Sequence, residues 1–150
     1  MELPEIRGTD IIIPVYNAFE ELKLCLASIY EYTDLKKNRL ILIDDNSTDK
    51  RIGEYLDGQC AENTIVIHNK QNQGFSANIN MGLSQSQTRD AILLNSDTIV
   101  TERWVEKITA CAYSDKSIGT VTPLSNHATL CSVPRFCEEN LLPKGMDICR

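Results

Sequence analysis

The sequence lacks a glycine loop for phosphate: no G-x-G-x-x-G follows its first apolar run, and no G-x-x-x-x-G-K-[ST] occurs in its 150 residues. Both absences argue against a dinucleotide oxidoreductase and a P-loop nucleoside triphosphatase. A basic face is missing as well. Lysine and arginine number 15 against 21 aspartates and glutamates, a formal net charge of -6. Nothing cationic is spread over the surface to displace counterions from nucleic acid, so no nucleic-acid partner is expected. A long stretch without a charged side chain, Ser117 to Pro134, holds Pro123, Ser125, Asn126, His127 and several threonines, which rules out a membrane span there. The opening MELPEIRGTD has neither the basic flank nor the apolar run of a signal peptide. A cytoplasmic domain is expected, with peripheral association at the inner face of the membrane left open. No C-x-x-C occurs among Cys25, Cys60, Cys111, Cys131, Cys137 and Cys149. They read as reduced thiols, those nearer the N-terminus at apolar helical positions, rather than as zinc ligands or disulfides.

What is present is an alternation. Asp10 to Val15 (DIIIPV) is a short β-branched run, as expected of a strand buried on both faces of a parallel sheet. From Glu20 to Tyr32, Leu22, Cys25, Leu26 and Ile29 recur with a helical period, while Glu21, Lys23 and Glu31 face outward. RLILIDD, from Arg39 to Asp45, predicts a second strand, and the serine and threonine of the following NSTD are suited to cap a helix running through Leu56. TIVIH, from Thr64 to His68, predicts a third strand. The turn region NKQNQG follows it, then a helix from Phe75 to Leu83 with Phe75, Ile79 and Leu83 on one face. AILL, from Ala91 to Leu94, predicts a fourth strand, and a helix from Glu102 to Tyr113 carries Trp104, Val105, Ile108 and Cys111 inward. A fifth strand is expected at Ile118 to Thr122, after which the pattern weakens, with breaks at Pro134, Pro143 and Gly145. The alternation predicts a single α/β domain with a mainly parallel sheet and right-handed crossovers.

Open parallel sheets bind ligands beyond the carboxyl ends of their strands. Four polar clusters fall on that edge: Tyr16-Asn17, Asp44 to Ser47, Asn69 to Gly74, and Asn95-Ser96-Asp97. Any one alone reads as turn and cap residues, whereas the four together read as a binding site whose ligand the spacing does not name. Without a glycine loop, a diphosphate in so acidic a cleft needs a hard divalent cation held by carboxylate, amide and water oxygens, and Asp97 is the best candidate ligand. Other residues have plainer readings. His68 and His127 lack metal spacing, Trp104 sits at a packing position, and Asp44 either orients its neighbours or supports Asp45. Lys70 and Arg89 either approach phosphate or are solvated.

The segments DIIIPVYN (Asp10 to Asn17), LILIDDNSTD (Leu40 to Asp49), NQGFSANINMGL (Asn72 to Leu83) and ILLNSDT (Ile92 to Thr98) resemble the successive signatures of the family 2 glycosyltransferases. Val121 to Pro134 also resembles a loop of bacterial members that build surface polysaccharides. The resemblance implies a GT-A type, Rossmann-like three-layer sandwich, truncated so that an acceptor-binding half lies beyond residue 150. It assigns Pro14, Tyr16 and Asn17 to the nucleoside, with Asp45 accepting a hydrogen bond from the base. Gly74, Ala77 and Asn78 line the nucleotide pocket by the same analogy. Asn95, Ser96 and Asp97 correspond to the family's metal motif. There Asp97 coordinates Mn²⁺ or Mg²⁺ on the diphosphate, and Asn95 contacts ribose or metal.

Two departures stand out. Asn95 replaces an aspartate often found at the first position of the motif. The family's catalytic base is expected beyond residue 150, because Glu138, Glu139 and Asp147 lie in no matching motif. The implied reaction moves a sugar, with inversion, from a nucleoside-diphosphate sugar to a hydroxyl of a glycan or lipid-linked acceptor. A non-catalytic nucleotide-sugar-binding module is the alternative. A sugar-phosphate nucleotidyltransferase would need a basic, glycine-rich loop where PVYNAF stands.

Overall fold

A computed structural model describes residues 8–124 together with Arg135 and Asn140. The expectations for His127, Cys131, Pro134, Cys137, Glu138, Glu139, Pro143, Gly145, Asp147 and Cys149 lie outside those residues. The chain divides into two compact units, Met1–Val100 and Thr101–Arg150.

The first unit runs β1 (Thr9–Val15), α1 (Phe19–Tyr32), β2 (Arg39–Asp44), α2 (Lys50–Asp57), β3 (Thr64–His68), α3 (Phe75–Gln85) and β4 (Asp90–Leu93). All pairings are parallel, in the order β3-β2-β1-β4. With right-handed crossovers, the steps from β1 to β2 and from β2 to β3 put α1 and α2 on one face. The step back across the sheet to β4 puts α3 on the other. This is the α/β fold with a parallel sheet that the alternation predicts, in the three layers that the resemblance implies.

Side chains on β1 and β2 divide between the faces with the two-residue period of a strand. Ile12, Ile41 and Ile43 form a core with Ile79 of α3, with Ile67 and Met81 packed at its margin. Ile11, Ile13, Leu40 and Leu42 point the other way and are fully buried, as are Leu22, Cys25, Leu26 and Ile29 of α1 and Ile52 and Leu56 of α2.

The inward residues of α3 are Asn78, Ile79 and Gly82, which corrects the expected Phe75-Ile79-Leu83 stripe. Phe75 and Leu83 are exposed. The helix sits so close to β1 that a Cβ on Gly82 would collide with Ile12 Cγ2. Gly82→Ala is therefore expected to lose about 1–2 kcal/mol in urea unfolding: overpacking costs ~1–3 kcal/mol and outweighs a helix-propensity gain of up to ~1 kcal/mol. An unchanged or raised midpoint would contradict that close approach.

At the amino ends of the strands, the fully buried Asp10 takes a bidentate pair from Arg39, Nε at 3.0 Å and Nη2 at 2.7 Å. Arg89 Nε lies 2.8 Å from Asp10 Oδ1 as an ion pair outside hydrogen-bond alignment, and Arg89 Nη2 donates to the Lys37 carbonyl at 2.6 Å. Arg89 thus neutralises a buried carboxylate at the edge opposite the strand ends where phosphate was expected. Two cations around one buried anion are what low dielectric requires.

Other corrections are local. The cap of α2 is Asp49, whose carboxylate accepts from Arg51 N at 3.1 Å, and not the serine or threonine before it. Cys60 is exposed and lies beyond α2, while Cys25, Cys60 and Cys111 are all free thiols.

In the second unit, α4 spans Trp104–Ala112, and Arg103 before it is left-handed at φ 58. It buries Trp104, Val105 and Thr109, whereas Cys111, expected to point inward, is exposed. The expected fifth strand is absent among the described residues. Over 118–122 only Ile118 and Val121 are even half-buried, and Ile118 N–H turns back to the Asp115 carbonyl at 3.2 Å. No helix of the described residues is long and apolar enough to cross a membrane.

Candidate functional site

The crevice begins with a proline. In β1 the Ile12 carbonyl accepts from Leu94 N at 3.0 Å, whereas the Val15 carbonyl accepts from Asp45 N at 2.8 Å. Even-numbered residues of β1 therefore face β4 and odd-numbered ones face β2. Pro14 has no N–H to offer β4, and the β1–β4 ladder ends just before it. The sheet parts at β1, where the strand order reverses direction, the place at which open α/β sheets bind ligands.

Beyond Val15, Asn17 (φ 57) and Ala18 (φ 54) are both left-handed and turn the chain sharply into α1. Such backbone is costly for residues with a side chain, and here hydrogen bonds fix it. Asn17 N donates to Ser47 Oγ at 3.0 Å. Asn17 Oδ1 accepts from Thr48 N (3.0 Å), Thr48 Oγ1 (3.1 Å) and Asp49 N (3.2 Å). Its amide thus staples the end of β1 to the β2–α2 loop.

Asp44 and Asp45, adjacent in sequence, take unlike roles. Asp44 Oδ1 accepts from Ser47 N at 2.9 Å, and its Oδ2 lies 3.1 Å from His68 Nδ1. His68 Nε2 is 3.1 Å from Asp57. Burial pushes the His68 pKa down, but the two carboxylates outweigh it and hold the imidazole above its ordinary value. His68 is committed to this pairing and does not line the cleft.

Asp45 is 3% exposed and faces the β3–α3 loop. Its Oδ1 accepts from Asn69 Nδ2 (2.9 Å) and Gln73 N (2.7 Å), and its Oδ2 from Gly74 N (2.9 Å). Burial opposes its ionisation, yet the Gln73 N–H, the Asn69 and Asn78 amides and the Gly74 N–H together hold the carboxyl below its ordinary range. Gly74 itself is at φ +81, where a side chain is strained, and opens α3 without a side-chain cap.

At the end of β4 the chain turns through Asn95, Ser96 and Asp97, with Thr98 N donating to the Asn95 carbonyl at 3.2 Å. Asp97 is exposed.

These strand ends enclose an open cleft of about 710 Å³. Of the residues the sequence put forward, Pro14, Tyr16, Asp45, Gly74, Asn78, Asn95, Ser96 and Asp97 line it, whereas Asn17 and Ala77 do not. Val15, Ala18, Asn72 and Phe75 line it as well. The signal for Phe75 was its place directly after Gly74 at the mouth of a helix, where an aromatic has no core to fill. Tyr16 is 50% and Phe75 57% exposed, giving the cleft two apolar surfaces beside its amides and carboxylates. Flat apolar faces suit a base or a sugar ring, and amides suit hydroxyls.

Among the described residues no group of three or more His, Cys, Asp or Glu side chains converges as a metal cage. A hard cation of the Mg²⁺ class needs no such cage, since one or two carboxylates with phosphate and water oxygens complete its shell. The donors at Asn95-Ser96-Asp97, a carboxylate flanked by amide and hydroxyl oxygens, fit that chemistry.

The parallel sheet split at β1 and the cleft above it define an α/β domain of the GT-A type. A model of the family "Glycosyl transferase family 2" matches residues 10–127, and the chain belongs to that family. Glycosyltransferase GlyG of Streptococcus pneumoniae is 31% identical over 100 residues, which cover 65% of this chain and 33% of GlyG. Polypeptide N-acetylgalactosaminyltransferase 11 of Xenopus tropicalis is 29% identical over 113 residues, 71% of this chain and 19% of that protein. The chain thus spans a third or less of these relatives. S. aureus TarS 1-349 in complex with UDP-GlcNAc shares the fold at a TM-score of 0.58 and 20% identity, over 69% of this chain and 30% of that one.

Proposed function

We propose that the chain is the nucleotide-sugar-binding part of a glycosyltransferase. The observation that carries this reading is the convergence of an exposed carboxylate, Asp97, with two exposed aromatics and the Asp45-held loop in one cleft at the strand ends. Tyr16 and Phe75 offer faces to the nucleoside and sugar, and Asp45, which lines the cleft, meets a donor on the base. Asn95, Ser96 and Asp97 meet the diphosphate. Mn²⁺ or Mg²⁺ held by Asp97 would supply positive charge against the leaving diphosphate. The relatives named as glycosyltransferases and the UDP-GlcNAc complex of TarS support a nucleoside-diphosphate sugar as the donor.

The sugar is transferred with inversion to a hydroxyl of a glycan or lipid-linked acceptor, in the synthesis of surface polysaccharide or another glycoconjugate. A lipid-linked acceptor places the work at the cytoplasmic face of the membrane. Taking the proton from that hydroxyl requires a base, and neither carboxylate of the cleft is suited: Asp45 is held below its ordinary range by its donors and serves the nucleobase, and Asp97 serves the diphosphate. This observation favours a second reading, a module that binds donor without turning it over.

Thermal unfolding with nucleotides tests the proposal. UDP plus Mn²⁺ is expected to raise Tm, and no shift with UDP, TDP or GDP would sink it. Donor turnover by the full gene product separates transferase from binding module.

A further inference from the structure

The loop that carries Asp97 is fastened from below by a helix that does not reach the cleft surface at those points. On α1, Cys25 and Ser28 are three residues apart and share a face. Cys25 Sγ donates to the Asn95 carbonyl at 3.7 Å, where the loop leaves β4. Ser28 Oγ accepts from Val100 N at 3.0 Å, where the loop ends, and donates to the Cys25 carbonyl at 2.8 Å. Both side chains are buried, Cys25 fully and Ser28 to within 6%.

We propose that Cys25 and Ser28 are positioning residues: a two-point clamp from α1 that fixes both ends of the Asn95–Val100 loop and so presets Asp97 for a metal-bound diphosphate. The inference rests on the reading of the cleft as a nucleotide-sugar site.

Within the loop, Thr98 N closes a turn on the Asn95 carbonyl at 3.2 Å. The Cys25 thiol stays a donor: burial pushes it up to about 12, the Asp97 charge adds to that, and only the Thr98 N–H opposes it. A thiol is a weak donor and a hydroxyl a good acceptor, so Ser28 carries the larger share of the clamp. Preset geometry matters here because a cation bound through one carboxylate gains little from the protein unless that carboxylate is already in place.

Amide hydrogen exchange together with calorimetric titration of UDP in the presence of Mn²⁺ tests the clamp on the full chain. In Ser28→Ala the Val100 amide is expected to exchange about tenfold faster, the scale of one lost buried hydrogen bond, while the Ile12 and Ile41 amides keep their wild-type rates. The dissociation constant for Mn²⁺-UDP should rise about threefold to tenfold, and Ser28→Thr, which keeps the hydroxyl, should restore both. Cys25→Ser keeps a donor and is expected to behave as wild type, whereas Cys25→Ala should shift the Thr98 amide in the same sense by a smaller factor.

Unchanged Val100 exchange in Ser28→Ala overturns the proposal. So does faster Val100 exchange with unaltered Mn²⁺-UDP affinity, or equal acceleration at Ile12 and Ile41, which marks a merely structural loss. If the wild-type chain binds none of UDP, TDP and GDP, the nucleotide-sugar reading fails, and the exchange rates alone decide whether the clamp exists.

Discussion

Asp97→Ala is expected to remove the whole Mn²⁺-dependent part of the stabilisation that UDP confers. A ligand that binds only the folded state at about a hundred times its dissociation constant adds about 2.7 kcal/mol, which thermal unfolding resolves easily. In the wild type that gain should depend on the metal, because the -6 chain has no cationic loop to hold a diphosphate directly. In the variant, Mn²⁺ should add nothing to the effect of UDP alone. Asp97 is exposed and sits in a loop, so its loss should move the unliganded Tm little. Asp97→Asn keeps the shape and removes the charge, and should behave as the alanine variant does. A metal-dependent shift that survives in both would place the cation elsewhere.

Asp45→Asn is expected to damage the fold and the site together. The carboxylate is buried and accepts from Asn69, Gln73 and Gly74, and an amide in its place must point an NH₂ at donors that already face it. Leaving charged-group hydrogen bonds unmade in a buried position costs about 2–3 kcal/mol, on the order of 10 °C in Tm. The β3–α3 loop should loosen, and nucleotide affinity should fall with it.

The same change should flatten the acid limb of the stability curve. The folded carboxyl titrates below its unfolded value of about 3.9. Its contribution is therefore fully present above that value and is lost as pH falls through the lower folded one. Urea midpoints between about pH 2 and 5 should fall in the wild type by more than in Asp45→Asn; parallel curves would show that Asp45 is not held as an ion.

The strands were legible because each is a short β-branched run bounded by polar residues, a pattern that both faces of a parallel sheet impose. Their ends moved by only a residue: Thr9 joins β1, and Leu94 continues the ladder past β4 by its N–H alone. The cleft was legible for the same reason, since the rule about carboxyl ends turns strand positions into site positions.

What escaped was set by distant partners or by the absence of a side chain. Gly82 has no hydrophobic signal, yet it decides which face of α3 meets Ile12, and so Phe75 read as core when it is cleft wall. Asn17 read as a ligand group, but the partners of its amide lie 31 and 32 residues away in the β2–α2 loop. Arg89 read as either a phosphate contact or a solvated cation, and only the three-dimensional sheet brings it to Asp10. At 118–122 the isolated Ile118 and Val121 were too sparse to bury a strand.

The clamp from α1 also says something about the order in which the molecule assembles. The bonds that join β1 to β2 and β2 to β3 at Arg39 and His68 link residues 29 and 24 apart, whereas those from Cys25 and Ser28 to the Asp97 loop link residues 70 and 72 apart. Closing the longer loops costs more chain entropy and waits until the chain has crossed back over the strands already formed. The Asp45 side of the cleft is built from the early, near contacts. The Asp97 side is finished last, so a chain that has folded only through α3 already owns the nucleoside end of its site and has no means of holding the charge.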